Sequence, residues 1–198
     1  MNQPPSDPRQ RLLAATADML RRYGLNATSV REVAKLAQAP LGSTYHYFPG
    51  GKPQMVSEAI SRSGEAMQQL LARELAAGPL SGLRAFCTLW RQRLADSDYQ
   101  AGCPIIAVTS DARAGDDSAA PLAAAAQAIR QWQQLLAGSL RDAGLPEAQA
   151  DSVATLLIAA VEGAILLCRA ERSPAALDAV AAELDALLTA LLPATATP

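Results

Sequence analysis

Apolar residues recur every three or four positions along most of the chain, and short runs rich in proline, glycine or charge separate these stretches. This spacing places the apolar side chains on one face of a helix. β-Branched and aromatic residues are sparse, which favours helices over strands. The pattern predicts an all-α protein with helices over 8–23, 29–37, 41–48, 52–77, 80–95, 103–110, 121–143, 146–170 and 174–192. The run Ile105–Val108 also fits a strand, but a helix opened by Pro104 is the preferred interpretation.

The segment from Thr28 to Lys52 has the helix start and stop signals of a helix-turn-helix. The hydroxyl of Thr28 is predicted to cap the first helix, because it can accept an amide proton that a helix N-terminus leaves unpaired. The residue before Pro40 avoids helical torsions, so the turn falls there and Pro40 opens the second helix. Pro49–Gly51 ends that helix, and a long helix follows.

Gly42 is unexpected inside the second helix, because glycine costs about 1 kcal/mol there relative to alanine. We expect something to approach the backbone closely at this position. A recognition helix in the major groove of DNA is one such case. A capped surface helix that a tyrosine anchors to the core is the alternative interpretation.

The same segment resembles the TetR family of one-component bacterial regulators. The resemblance is carried by Val33-Ala34, by the turn, by the string GSTYHYF at 42–48, and by Lys52 with Met55-Val56. The inserted residues PGGK at 49–52 resemble the lincomycin-resistance-repressor-like branch of the family. The match covers about residues 10–60, and beyond it only the helical pattern agrees.

This resemblance implies two domains: a three-helix helix-turn-helix DNA-binding domain over residues 1–51, and a helical ligand-binding and dimerisation domain over residues 52–198. It also implies a homodimer that binds a palindromic operator in double-stranded DNA. The function to expect is that of a ligand-responsive repressor, which leaves its operator when a small hydrophobic or aromatic molecule binds.

Ten residues are predicted to contact DNA: Thr28, Ser29, Leu41, Gly42, Ser43, Thr44, Tyr45, His46, Tyr47 and Lys52. Hydroxyl groups and the Lys52 ammonium are expected to bind phosphates, and Tyr45 and Lys52 match residues that hold the DNA backbone in the family. Base edges are assigned to Leu41, Ser43, Thr44 and His46. None of these is the Arg, Asn or Gln that usually makes bidentate contacts with bases. The family often has Lys at position 41, so this departure bears on operator sequence.

Charge is unevenly distributed along the chain. Residues 1–56 contain seven basic and three acidic residues, a net charge of +4, whereas residues 57–198 contain ten and sixteen, a net charge of −6. A basic N-terminal part joined to an acidic remainder is typical of a phosphate-binding module fused to a domain with another task. Random unevenness is the alternative.

A ligand site is expected in the C-terminal domain, where apolar and aromatic residues could line a cavity. Its predicted residues are Phe86, Trp90, Tyr99, Cys103, Ile106, Trp132, Leu136 and Val161. Each of them also has a plain explanation as a core residue.

The helix over 146–170 carries a single charge, Glu162, between Val153 and Cys168, and it is apolar on every side. Such a helix must be buried all round, which is difficult within a monomer that has only one helix after it. We therefore expect a homodimer in which the last two helices, about 146–192, form a four-helix bundle with their copies. A large monomeric core is the alternative.

Catalytic and metal chemistry have little support. The cysteines at 87, 103 and 168 are widely spaced and the chain has one histidine, so neither a disulfide framework nor a zinc site is indicated. We expect buried thiols rather than a redox switch, no metal, no cofactor and no enzymatic activity. The alternative is a helical small-molecule-binding protein or enzyme with a vestigial helix-turn-helix, for which the departure at Leu41 is the best support.

A cytoplasmic location is expected. The N-terminal residues lack the apolar core of a signal peptide, and we expect no stretch of the sequence to cross a membrane.

Overall fold

The computed structural model describes residues 7–112 and 116–193, and these residues form helices and connecting turns without a strand. The helices are α1 (Pro8–Ala27), α2 (Val30–Leu36), α3 (Leu41–Tyr47), α4 (Gly51–Leu75), α5 (Pro79–Asp96), α6 (Pro104–Asp111), α7 (Asp116–Asp142), α8 (Glu147–Glu171) and α9 (Ala175–Leu191). The all-α prediction is confirmed, and the helical interpretation of Ile105–Val108 is correct.

Helix α1 runs further than its predicted end at Tyr23. The Asp7 side chain caps its start by accepting a hydrogen bond from the Arg9 N–H. Gly24 interrupts the helical torsions, with φ of 80° and ψ of 178°, but a further helical turn continues to Ala27. A positive φ of this size is accessible mainly to glycine. The predicted stop is therefore a kink.

Helix α7 begins at Asp116, whereas a loop was predicted over 111–120. Alanines at 119 and 120 are strong helix formers, so the helix starts before Pro121 instead of at it. Residue 111 belongs to α6, and residues 113–115 of the predicted loop lie outside the described residues.

The chain divides into two compact units. The first comprises residues 1–65 and 103–128, and the second comprises residues 66–102 and 129–198, as far as these are described. The predicted DNA-binding domain over 1–51 lies within the first unit, which also contains α6. Helices α4 and α7 contribute residues to both units.

The core of the first unit is formed by residues of α1, α2 and the start of α4, together with Ala37 and Phe48 at the ends of α2 and α3. Its buried members are Leu12, Leu13, Ala15, Val33, Ala37, Phe48, Met55 and Ala59. Tyr47, at the end of α3, packs against this cluster while remaining partly exposed. Helix α3 is thereby held on the core by its last residues.

Helix α6 packs along α1 within the first unit and buries Ile105 and Val108. Gly64 of α4 lies in a tight part of the same unit, because a Cβ atom there would stand 2.6 Å from the Cβ atom of Ala128. Glycine at this position is explained by the protein's own packing.

In the second unit, α5, α8 and α9 pack against one another. Helix α8 is long and apolar enough to cross a membrane by length and composition, contrary to the sequence-based expectation. Half of its most apolar window is buried within the protein, and its buried residues include Leu157, Val161 and Ile165. A helix buried in this way is typical of a protein core.

Two arginine–aspartate pairs join α5 to α9. Arg84 donates to both carboxylate oxygens of Asp185, at 2.6 and 3.1 Å, and Arg91 donates to both oxygens of Asp178, at 2.8 and 3.2 Å. The hydrogen bond from Arg84 lowers the pKa of Asp185. Because the earlier arginine pairs with the later aspartate, the two helices run antiparallel.

Candidate nucleic-acid interface

The cap of α2 is Ser29, and the prediction that Thr28 caps this helix is wrong. The Ser29 hydroxyl accepts a hydrogen bond from the Glu32 N–H at 3.2 Å. The Thr28 hydroxyl instead donates to the Gly24 carbonyl oxygen at 2.7 Å, and Thr28 is 1% exposed. At the kink, the Thr28 N–H donates to the Leu25 carbonyl oxygen at 3.2 Å while its hydroxyl donates to the Gly24 carbonyl oxygen. Ser29 is therefore partly exposed at the N-terminus of α2, whereas the Thr28 side chain is buried.

Helix α3 presents one exposed face. Leu41, Gly42, Tyr45 and His46 are exposed, and Ser43 and Tyr47 are half-buried. Thr44 is 1% exposed, so its side chain points into the first unit, and its hydroxyl finds no hydrogen-bond partner among the described residues. The four exposed residues follow the helical repeat and could enter a groove together, whereas Thr44 could not reach a base in this conformation.

Gly42 is not required by the fold itself. A Cβ atom built at this position has no heavy atom within 4 Å, apart from its chain neighbours and its own helix backbone, and its φ is not positive. The first unit therefore has room for a side chain here. Packing within the first unit therefore does not explain the glycine.

Lys52 lies in the first turn of α4, directly after Gly51, which has a φ of 67°. Its ammonium group donates to the Leu25 carbonyl oxygen at 2.8 Å. The lysine is half-buried, and this hydrogen bond fixes its charged end beside the last turn of α1.

The basic residues of the first unit differ in how they are neutralised. Arg9 pairs with Glu58, and Arg21 and Arg22 both pair with Asp18. Arg31 and Lys35 are exposed on α2. Exposed charges of this sign favour a polyanion through counterion release.

The structure distributes the predicted ligand-site residues over both units. Phe86, Trp90, Tyr99, Trp132, Leu136 and Val161 lie in the second unit, and Cys103 and Ile106 lie in the first. All six in the second unit are buried except Tyr99, which is half-buried. The prediction of one site containing all eight residues remains untested.

Trp90 is the centre of an aromatic cluster in the second unit. The ring of Phe86 meets it edge-on at 6.4 Å between centroids, and the Arg93 guanidinium lies 5.2 Å from its ring centroid. Its indole N–H finds no acceptor among the described residues. On the same helix, burial raises the pKa of the Cys87 thiol to about 11, so this thiol stays protonated at neutral pH.

Sequence reasoning missed three leucines on the outer face of α8. Leu156, Leu166 and Leu167 are 46, 50 and 52% exposed, and Gly163 lies between them with no heavy atom within 4 Å of a built Cβ atom. Residues 156, 163 and 167 share one stripe along the helix, and Leu166 lies beside it, three residues after Gly163. This spacing was the signal that could have identified the outer face.

Two family profiles match the chain. One, described as "Bacterial regulatory proteins, tetR family", matches residues 12–59. The other, described as "Transcriptional regulator LmrA/YxaF-like, C-terminal domain", matches residues 79–183, which is more than half of the chain. The chain belongs to the TetR family. Its predicted branch is confirmed by the second profile.

Relatives within the TetR family agree over nearly the whole length. The HTH-type transcriptional regulator Rv0196 of Mycobacterium tuberculosis is 38% identical over 191 residues, covering 94% of this chain and 96% of that protein. The HTH-type transcriptional regulator LmrA of Bacillus subtilis is 29% identical over 164 residues, covering 81% and 86%. The protein is thus a DNA-binding transcriptional regulator of the helix-turn-helix class.

Solved structures of TetR regulators share the fold. Regulatory protein TetR from Rhodobacter sphaeroides superposes with a TM-score of 0.80 at 26% identity, covering 90% of this chain and 97% of that one. A TetR transcriptional regulator from Legionella pneumophila superposes with a TM-score of 0.83 at 21% identity, covering 94% and 99%. The second likeness concerns the fold alone.

Proposed function

We propose that this TetR-family regulator is a cytoplasmic, homodimeric repressor without enzymatic activity, which binds a palindromic operator through α3. The observation that carries the proposal is the exposed face of α3, where Gly42 has no structural reason within the chain. Ser29 and Lys52 lie at the starts of the two flanking helices. Amide groups at helix N-termini favour phosphate oxygens, so these positions suit the DNA backbone.

Eight residues make up the proposed DNA-contacting set: Ser29, Leu41, Gly42, Ser43, Tyr45, His46, Tyr47 and Lys52. Thr28 and Thr44 are left out because they are buried. Phosphate contacts would come from Ser29, Tyr45 and Lys52, and Leu41 is placed to touch a thymine methyl group. Direct reading of bases is expected to be modest.

The partner subunit is proposed to cover the exposed leucines of α8. Large apolar side chains exposed on one side of a helix are typical of an interaction site. Gly163 within the stripe would allow a second helix to approach closely, and α9 adds the small exposed residues Ala179, Ala182 and Ala186. A second copy of the chain is the proposed partner. A single two-fold axis would bring α8 of each subunit against α8 of the other, and α9 against α9.

Substitution of Lys52 tests the phosphate contacts. Lys52→Ala should weaken binding to all DNA sequences and reduce the slope of log affinity against log salt by about one unit. A mobility shift on the DNA upstream of the protein's own gene, at several salt concentrations, measures this slope. Arg130→Ala is the matched control, because it removes one positive charge from an exposed position in the second unit. An unchanged slope for Lys52→Ala would exclude the ammonium from the interface.

An effector ligand is proposed to bind at the aromatic cluster of the second unit. The chain has two tryptophans, Trp90 of this cluster and Trp132, and both are buried in the second unit. Titration with a panel of aromatic drugs should therefore identify a compound that changes tryptophan fluorescence and weakens operator binding. By linkage, operator DNA must weaken binding of that compound by the same factor.

Phe86→Leu should weaken binding of the compound and leave operator affinity without compound unchanged, because the residue lies outside the proposed DNA-contacting set. A compound that binds at the cluster and has no effect on operator affinity would contradict the role of inducer.

A further inference from the structure

The kink in α1 is held by the last residue of α6. The Asp111 carboxylate Oδ2 accepts a hydrogen bond from the Leu25 N–H at 2.9 Å. The backbone carbonyl oxygen of Asp111 accepts from the side-chain amide of Asn26 at 3.4 Å. These contacts join segments 85 and 86 residues apart in sequence, and all of the residues belong to the first unit.

Gly24 and Asp111 fit each other closely. A Cβ atom on Gly24 would lie 2.1 Å from the Asp111 Oδ2 atom, well inside van der Waals contact. The carboxylate thus occupies the space that a side chain at position 24 would need. The torsions of Gly24 are not helical, and the Leu25 N–H that follows donates to the Asp111 carboxylate. A buried amide needs an acceptor, and the carboxylate is a charged one.

The turn after Gly24 also binds Lys52. The Leu25 carbonyl oxygen accepts from the Lys52 ammonium at 2.8 Å, and the Gly24 carbonyl oxygen accepts from the Thr28 hydroxyl at 2.7 Å. A continuous path therefore runs from the Asp111 carboxylate through both polar groups of Leu25 to the Lys52 ammonium.

We infer that Asp111 is a positioning residue for DNA binding. It fixes the turn after Gly24, and the Leu25 carbonyl oxygen of that turn holds the Lys52 ammonium where the DNA backbone passes. The inference rests on the proposed DNA-binding role of Lys52. Asp111 has no contact with DNA in this account, and its effect on affinity passes through Leu25.

The predicted effect has the opposite sign to that of simple electrostatics. Removal of a carboxylate from a DNA-binding unit reduces repulsion of phosphate and should by itself strengthen binding. Asp111→Ala should instead weaken operator binding about tenfold, which corresponds to the loss of one charge-assisted contact. It should also reduce the salt slope by about one unit, as Lys52→Ala does.

A double-mutant cycle tests the path. In the Lys52→Ala background, Asp111→Ala should change operator affinity by less than about twofold, because its route of action is already absent. Additive losses would overturn the inference, as would a loss with Asp111→Ala when Lys52→Ala alone has no effect. Asp18→Ala is the matched control, since this carboxylate pairs only with neighbouring arginines of α1 among its described ion pairs. It should leave affinity unchanged or raise it.

Two conservative variants keep the test informative if Asp111→Ala does not fold. Asp111→Asn retains an acceptor for the Leu25 N–H and should keep affinity within about threefold of wild type. Asp111→Glu keeps the charge but cannot place its oxygen at the same point, so it should weaken binding by a larger factor. If both variants bind the operator as wild type does, the inference is wrong while the proposed function stands. If the wild-type protein binds no DNA in the same assay, the proposed function itself fails.

Discussion

Leu166→Glu should convert the protein into a folded monomer that binds its operator roughly 10²- to 10⁴-fold more weakly. Leu166 is 50% exposed within one protomer, so a charge there is tolerated by the isolated chain but would be buried in the proposed dimer. A dimer gains its second half-site contact intramolecularly, which raises the overall affinity by roughly 10²–10⁴. Loss of dimerisation should reduce operator affinity by a factor of that order. Light scattering and mobility shift measure the two quantities.

Leu36→Glu is the matched control for oligomeric state. Leu36 is 48% exposed and lies on α2, so the same change should leave the protein dimeric. A wild-type monomer at micromolar concentration, or a dimeric Leu166→Glu variant that binds the operator normally, would contradict the proposed interface.

The choice of Leu166 depends on the structure. Leu157 and Leu188 also lie within the apolar repeats of the last two helices. They are 2% and 0% exposed within the protomer, so a glutamate at either position would test folding instead. A pattern that is apolar on every side identifies a buried helix, but it does not distinguish burial against the chain itself from burial against a partner.

Gly42→Ala should stabilise the protein while weakening its binding to DNA. Alanine in a helix is favoured over glycine by roughly 0.5–1 kcal/mol, and no heavy atom within 4 Å opposes the added methyl group. The melting temperature should therefore rise by about 1–4 °C. If the backbone of α3 meets DNA at this point, the methyl group overpacks the interface at a cost of about 1–3 kcal/mol. Operator affinity should then fall roughly 10- to 100-fold.

Gly138→Ala provides a matched control on α7. A Cβ atom there meets only the Arg141 Nη2 atom, at 3.9 Å, so this variant should gain similar stability and keep its operator affinity. Gly42→Leu should weaken DNA binding further. A Gly42→Ala variant that binds the operator normally would contradict a close contact between DNA and the α3 backbone at this position.

The helix-turn-helix could be predicted because its signals are local. Pro40, Pro49–Gly51 and the apolar spacing of α2 act over a few residues, and they place α2 and α3 within one or two residues of their observed bounds. The exact cap was missed because Thr28 and Ser29 have equivalent hydroxyl groups. The choice between them depends on the kink at Gly24, which gives the Thr28 hydroxyl another acceptor.

The contact of Asp111 with Leu25 could not be predicted. It joins residues that are 86 positions apart, and Asp111 lies in a polar stretch that has the composition of a loop. Gly24 carried a partial signal, because glycine near a helix end indicates an unusual torsion angle. Which residue fills the space beside Gly24, here Asp111, is determined by tertiary packing alone.

The two arginine–aspartate pairs between α5 and α9 also fix the register of one helix along the other. The arginines are seven residues apart and the aspartates are seven residues apart, in opposite order along the chain. A slide of α9 by one helical turn would break both pairs and form none. The first displacement that matches an arginine with an aspartate again is seven residues, about 10 Å, and it restores one pair of the two. Helix α9 therefore has no nearby alternative register against α5.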